Sequence, residues 1–91
     1  MLPADYALAN PYPNPFNPQT TIHFEIPEED YIVLSVYDVN GRMIETLISK
    51  QLDAGYYDIQ WDASSQSSGV YFVKMVGGKG FSDTVKLMLI K

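Results

Sequence analysis

In Thr21-Ile22-His23-Phe24-Glu25-Ile26, apolar and polar side chains alternate without a break. Successive residues of a β-strand point to opposite faces, so Ile22, Phe24 and Ile26 share one face and Thr21, His23 and Glu25 the other. This is the pattern of a strand with one face on a core and one in water. It recurs downstream. Tyr31–Val39 offers Ile32, Leu34 and Val36 to one side. Asn40-Gly41 follows, a strong signal for a two-residue hairpin turn with both positions at positive φ. Arg42–Ile48 returns as the antiparallel partner with Ile44 and Leu47 packed. Those two are three apart rather than two, which predicts a bulge or twist between them.

Tyr56–Trp61 places Tyr57, Ile59 and Trp61 inward. Val70–Val76 places Tyr71, Val73 and Met75 inward, with Lys74 on the wet face. Phe81–Ile90 places Val85, Leu87 and Leu89 inward and Lys86 outward. The connections are Pro27-Glu28-Glu29-Asp30, read as a hairpin loop, the polar Ser49–Gly55, the Ser-rich Asp62–Gly69, and Gly77-Gly78-Lys79-Gly80, read as a second hairpin turn. The chain thus carries six strands, or seven if Ser49–Leu52 adds a short one. No window keeps a helical period, and no segment repeats, so a solenoid or propeller is excluded. Short strands joined mostly by hairpins predict an all-β, two-sheet antiparallel sandwich of the immunoglobulin-like or fibronectin III-like kind.

Upstream of these strands, Met1–Asn10 shows no period and reads as a linker. Pro11-Tyr12-Pro13-Asn14-Pro15-Phe16-Asn17-Pro18 then packs four prolines into a short run. Proline at this density forbids a helix or a central strand. The segment reads as a rigid lead-in to the first strand, with Phe16 free to plug an edge of the core. A PxxP-type ligand is the alternative, and a Phe in a segment that opens a fold argues against it.

The 91 residues suffice for one domain, and 46% are hydrophobic, which is enough for a continuous core. There is no cysteine, so neither a disulfide scaffold nor a thiolate metal site is available. The net charge is −5 with six scattered basic residues, which argues against nucleic acid as a partner. No apolar run approaches the ~20 residues that span a bilayer, so no membrane insertion is expected. No signal peptide opens the chain. If the parent protein is exported, its signal lies upstream and this chain is a fragment.

The sequence carries no catalytic constellation, and no enzyme is expected. His23, the single histidine, sits at an outward strand position and reads as a solvated surface residue. No serine occupies a nucleophile elbow. Asp38-Val39-Asn40-Gly41 resembles part of a calcium loop but lacks the ligand spacing and the distal Glu. The Asp and Glu side chains read as hydrated charge and turn formers, and a glycosidase pair would need a cleft. Gly77-Gly78-Lys79-Gly80 precedes a strand, not the helix a phosphate cradle requires. No cofactor and no metal are expected. The aromatics Tyr12, Tyr31, Tyr37, Tyr56, Tyr57, Trp61, Tyr71 and Phe72 leave open a sugar-binding platform beside the plainer reading as core and cross-strand pairs.

Several motifs together resemble one family. They are Pro13-Asn14-Pro15-Phe16-Asn17-Pro18, Thr20-Thr21-Ile22-His23-Phe24, Tyr37-Asp38-Val39-Asn40-Gly41-Arg42, Ala54-Gly55, Trp61-Asp62-Ala63, Ser68-Gly69-Val70-Tyr71-Phe72 and the ending Lys86-Leu87-Met88-Leu89-Ile90-Lys91. In this order they resemble the type A C-terminal sorting domain of type IX (Por) secretion, from about Leu8 to Lys91. Each motif is weak alone, and their order is what is specific. The immunoglobulin-like domain of flagellar hook-capping proteins is related but usually has a longer insert where this chain has only Ala63–Ser67.

The resemblance implies a linker over residues 1–10 to an upstream cargo and a sorting domain over 11–91. It implies transit through the periplasm, recognition by the outer-membrane machinery, and removal by a surface peptidase cutting within Met1–Asn10. The cargo would end secreted or at the cell surface. Recognition falls on Lys86 through Lys91. One departure is Val85, where the family commonly has a second Lys. The competing functions are a carbohydrate-binding module and a passive spacer in a multidomain secreted enzyme.

Overall fold

The computed structural model describes all residues, Met1–Lys91. Its strands are β1 (Ala7–Leu8), β2 (Gln19–Ile26), β3 (Asp30–Tyr37), β4 (Met43–Leu52), β5 (Gly55–Asp62), β6 (Gly69–Gly77) and β7 (Ser82–Leu89). They form two antiparallel sheets, ordered β1-β2-β5 and β4-β3-β6-β7, closed on one core. This is the expected immunoglobulin-like sandwich. β4 lies beside β3 in the larger sheet, whereas the constant-type immunoglobulin arrangement puts its fourth strand in the first sheet.

The alternating pattern places side chains as expected. Ile22, Phe24 and Ile26 from the smaller sheet meet Ile32, Leu34, Val36, Val73 and Met75 from the larger, all fully buried. Leu87 and Leu89 complete the floor from β7, an edge strand. The bulge implied by Ile44 and Leu47 is present twice. Pairing steps from Leu34↔Ile48 to Ser35↔Thr46, and from Val36↔Glu45 to Tyr37↔Met43. The two residues passed over are Leu47 and Ile44 themselves, both packed against the core.

Some local readings are corrected. The seventh strand is Ala7–Leu8, not Ser49–Leu52, which only lengthens β4. Ala7 and Leu8 pair with Glu25 and Phe24, and Leu8 enters the core. A two-residue strand is too short to show a period, so the sequence gives no sign of it. Pro27–Glu29 is not a hairpin loop, because β2 and β3 belong to different sheets. The chain also changes sheets between β4 and β5 and between β5 and β6, so only β3–β4 and β6–β7 are tight hairpins.

The β3–β4 turn has three residues rather than two. The Asp38 N–H donates to the Arg42 carbonyl and the Gly41 N–H to the Asp38 carbonyl, both at 3.0 Å. Gly41 alone has positive φ, at 78°, and Asn40 does not. Three-residue loops use this form, a type I turn closed by a left-handed residue that glycine adopts without strain.

Asp30 departs furthest from the reading of acidic residues as hydrated charge. It is 3% exposed at the start of β3. Its carboxylate accepts bonds from the Tyr6 hydroxyl at 2.8 Å, the Tyr31 N–H at 2.7 Å and the Lys79 N–H at 3.3 Å. Burial is the largest influence on the Asp30 carboxyl and pushes its pKa up, but these three donors outweigh it and hold the net value below the ordinary one. Burial also pushes the Tyr6 hydroxyl up to about 12, with help from its bond to Asp30. A Cβ on Gly77 would stand 2.7 Å from the Asp30 carboxylate, so this glycine makes room for the acid. The latch ties the upstream segment, β3 and the β6–β7 hairpin together. Replacing the acid by an amide, Asp30→Asn, removes the charge and sets an N–H group against other donors. The expected cost is about 2–3 kcal/mol, which lowers Tm by roughly 10–20 °C for a domain of this size in a thermal melt.

Candidate functional site

One end of the sandwich gathers most of the motif residues. Tyr12 pairs with Thr21 of β2 through two backbone bonds of 3.0 Å. The chain then crosses to the other sheet and lies along the open edge of β7. The Asn14 side chain acts there as a substitute peptide group. Its Nδ2 donates to the Lys86 carbonyl and its Oδ1 accepts from the Met88 N–H, each at 3.0 Å. Phe16 continues the ladder, its N–H donating to the Met88 carbonyl at 3.0 Å and its carbonyl accepting from the Ile90 N–H at 2.9 Å. The flanking Pro13 and Pro15 have no N–H to leave unpaired at this edge. The Pro13 carbonyl accepts from the Thr20 hydroxyl at 2.8 Å and the Pro18 carbonyl from the Ala63 N–H at 2.9 Å, while Asn17 is exposed.

The Phe16 ring fills the core edge as the sequence implied. It is 5.6 Å from Trp61, which meets Tyr71 edge-on at 5.5 Å. The Trp61 Nε1 donates to Glu45 across the sandwich at 3.1 Å. The Tyr71 hydroxyl donates back to the Ser67 carbonyl at 2.5 Å, four residues upstream. That is the tyrosine corner of immunoglobulin-like sandwiches.

The acidic motif residues fix turns. Asp38 accepts the N–H groups of Asn40 and Arg42 at 2.9 and 3.0 Å and pairs with Arg42 Nε at 3.0 Å. The Arg42 backbone bond is the foremost cause of its lowered pKa. With these oxygens engaged, the partial likeness to a calcium loop is explained by turn geometry. Asp62 likewise accepts the N–H and the hydroxyl of Ser64, the hydroxyl bond being the main cause of its lowered pKa. Gly69 opens β6. Asp38, Arg42, Met43, Ile44, Gln66, Ser67 and Tyr71 line an open hollow of about 410 Å³ beside this end.

The terminal strand divides by face. Leu87 and Leu89 are buried, while Lys86, Met88, Ile90 and Lys91 are exposed. The Lys91 N–H donates to the Ser68 hydroxyl at 3.0 Å and its Nζ to the Ser64 carbonyl at 2.6 Å.

Residues 10–91 match the family model described as a secretion system C-terminal sorting domain. The chain belongs to this family. The sorting domain is a signal for type IX secretion, working with that machinery on behalf of an upstream cargo destined for the cell surface or beyond, and it is not itself catalytic. Comparison with curated proteins and with solved structures gave no match. What the sequence reading of this sorting domain missed is the role of Asn14, because nothing local announces that residues so far apart in the chain meet. The sequence reading also missed the setting of His23. Its Nδ1 is 2.8 Å from Asp58 and its Nε2 2.9 Å from Glu25, with the ring stacked on Tyr56. Asp58 faces it across the β2–β5 ladder, which a strand pattern alone does not reveal.

Two measurements follow from these contacts. Asn14→Ala opens two bonds at the β7 edge, at about 1 kcal/mol each. A drop of roughly 8–15 °C in Tm is expected, together with faster amide exchange at Met88. The Glu25 bond, then the Asp58 bond, raise the His23 pKa above its ordinary 6.5. A raised folded value means that the clamp's stabilisation is complete below about pH 6.5 and is lost as pH climbs through the folded pKa. The Tm advantage of the wild type over His23→Gln should therefore shrink as pH rises above about 6.5 in calorimetric scans.

Proposed function

We propose that the outer-membrane type IX machinery reads the folded domain at its terminal strand, Lys86 through Lys91, after the parent protein has crossed the periplasm. In this reading Leu87 and Leu89 act by holding the strand in the core, and Lys86, Met88, Ile90 and Lys91 present the contact. The part of residues 1–10 that precedes Tyr6 joins the domain to its cargo, and a surface peptidase cuts there. The cut falls before the Tyr6 latch and β1, since an extended, accessible backbone is what a peptidase needs. The domain acts without nucleic acid and without inserting into a membrane.

The observation that carries this reading is the placement of the two chain ends. β1 pairs near Phe24 and Glu25, beside the β6–β7 hairpin, where Tyr6 stacks on Phe81 at 5.0 Å. Lys91 lies beyond Gly69 and Phe16 at the opposite end of a body 37 Å long. A cargo attached upstream therefore joins the domain at the end remote from Lys91. A sugar-binding platform has less support. Tyr31 and Tyr56 lie on the outer faces of different sheets, Tyr12 is on the lead-in, and Trp61 and Tyr71 are buried, which leaves Tyr37 and Phe72 as the one adjacent outward pair, both half-buried.

The test fuses Met1–Lys91 downstream of an unrelated periplasmic reporter in a host with type IX machinery. The fusion should export the reporter, and a Lys86→Ala, Lys91→Ala double variant should lose most export while keeping its Tm. Retention of the unaltered fusion in the periplasm would point to a passive spacer.

A further inference from the structure

The two outer faces of the sandwich differ in kind. On the smaller sheet the outward positions of β2 and β5 include Glu25, Asp58 and Asp62 beside Thr21, His23 and Gln60. On the larger sheet no Asp or Glu occupies an outward position of β3, β4, β6 or β7.

Phe72 sits at the centre of this second face. Tyr37 lies on one side of it in register and Lys86 on the other. Val70 and Lys74 flank it along β6, and Met88 stands beside Val70 on β7. Neither lysine takes part in an ion pair, since the pairs of this chain involve His23, Arg42 and Lys79. A sheet face that carries aromatic and aliphatic side chains into water, with unpaired positive charge around them, is a place where a partner sits.

We propose that this face, centred on Phe72 and bounded by Lys74 and Lys86, is the docking surface for a protein of the secretion machinery whose own surface is apolar and acidic. The proposal rests on the sorting reading above and extends the contact from the terminal strand to β3 and β6. Charge selects the partner. A second copy of this chain docked face to face would bring four lysines into one interface with no outward carboxylate from either copy to pair with them, which disfavours it. Size points the same way. Four strands at their usual spacing give a face on the order of 400 Å², about half of the ~800 Å² that each side of a stable complex buries. Such a contact forms and releases readily, as a tag that is handed on requires.

The experiment uses the reporter fusion to Met1–Lys91. Phe72→Ser and the pair Lys74→Glu, Lys86→Glu change outward side chains only, and Tm is measured for each. Gln60→Lys on the opposite face serves as the control. Both face variants should cut the exported fraction at least tenfold with Tm unchanged, and the control should export like the wild type. Export of the unaltered fusion together with undiminished export of both face variants would overturn the docking surface while leaving the sorting function standing. No export of the unaltered fusion would overturn the sorting reading itself. Sedimentation of the purified domain as a dimer that Phe72→Ser dissociates would assign the face to a second copy and overturn the proposed partner. If a face variant melts early, Phe72→Tyr, which keeps the ring, must restore export; failure to do so with a restored Tm also overturns it.

Discussion

The backbone of Phe16 is bound on both sides to β7, and its ring lies against Trp61. Through that one residue the lead-in, the last strand and the core are a single unit. An edge strand exposes a row of N–H and carbonyl groups that invites pairing with another chain. Here Asn14 and Phe16 satisfy that row over Lys86–Ile90 without adding a full strand. The prolines around Asn14 make the arrangement safe, because residues without an N–H offer no new edge in turn. The edge of the terminal strand is closed over Lys86–Ile90 while its outward side chains stay free. A strand read through its side chains, as proposed for this one, and kept from aggregating through its backbone needs both conditions.

The same economy governs the acidic residues. Asp38 and Asp62 close turns by accepting N–H groups that a tight bend leaves unpaired. Asp30 does this where water is excluded, and it needs three donors to remain a carboxylate there. Glu45 reaches inward to the Trp61 indole. The acidity of the chain is therefore partly structural. What remains is distributed unevenly, with the smaller sheet's outer face acidic and the larger sheet's outer face free of carboxylates.

Strands such as Thr21–Ile26 and Val70–Val76 are legible from sequence because a half-buried strand writes its burial into every second residue. The bulges of β4 were legible for the same reason, as a break in that period at Ile44 and Leu47. Ala7–Leu8 was not, since two residues carry no period. Asn40 misled because Asn-Gly fits a two-residue turn, yet the Asp38 carboxylate favoured the longer loop by binding its N–H groups. Asp30, Asn14 and His23 share a different cause. Each owes its environment to residues distant in sequence, and cross-strand register has no local signature. The family resemblance named the motif around Asn14 and Phe16, but only the meeting of the lead-in with the edge of β7 explains why that motif takes this form.

Coupling between core and surface decides what kind of signal this is. A linear tag would keep its information in an unfolded chain. Here Leu87 and Leu89 are core residues, and the lead-in is held by the backbone between them and beyond. Tyr37, Phe72 and Lys86 become neighbours only when β3, β6 and β7 are in register. Loss of the terminal strand removes two large buried side chains, at about 2–5 kcal/mol each, and a domain of this size has little stability beyond that. Signal and fold then vanish together. On the proposed docking surface, a reader that contacts side chains from three strands would respond to the folded state as such, and export would be conditional on the domain having folded.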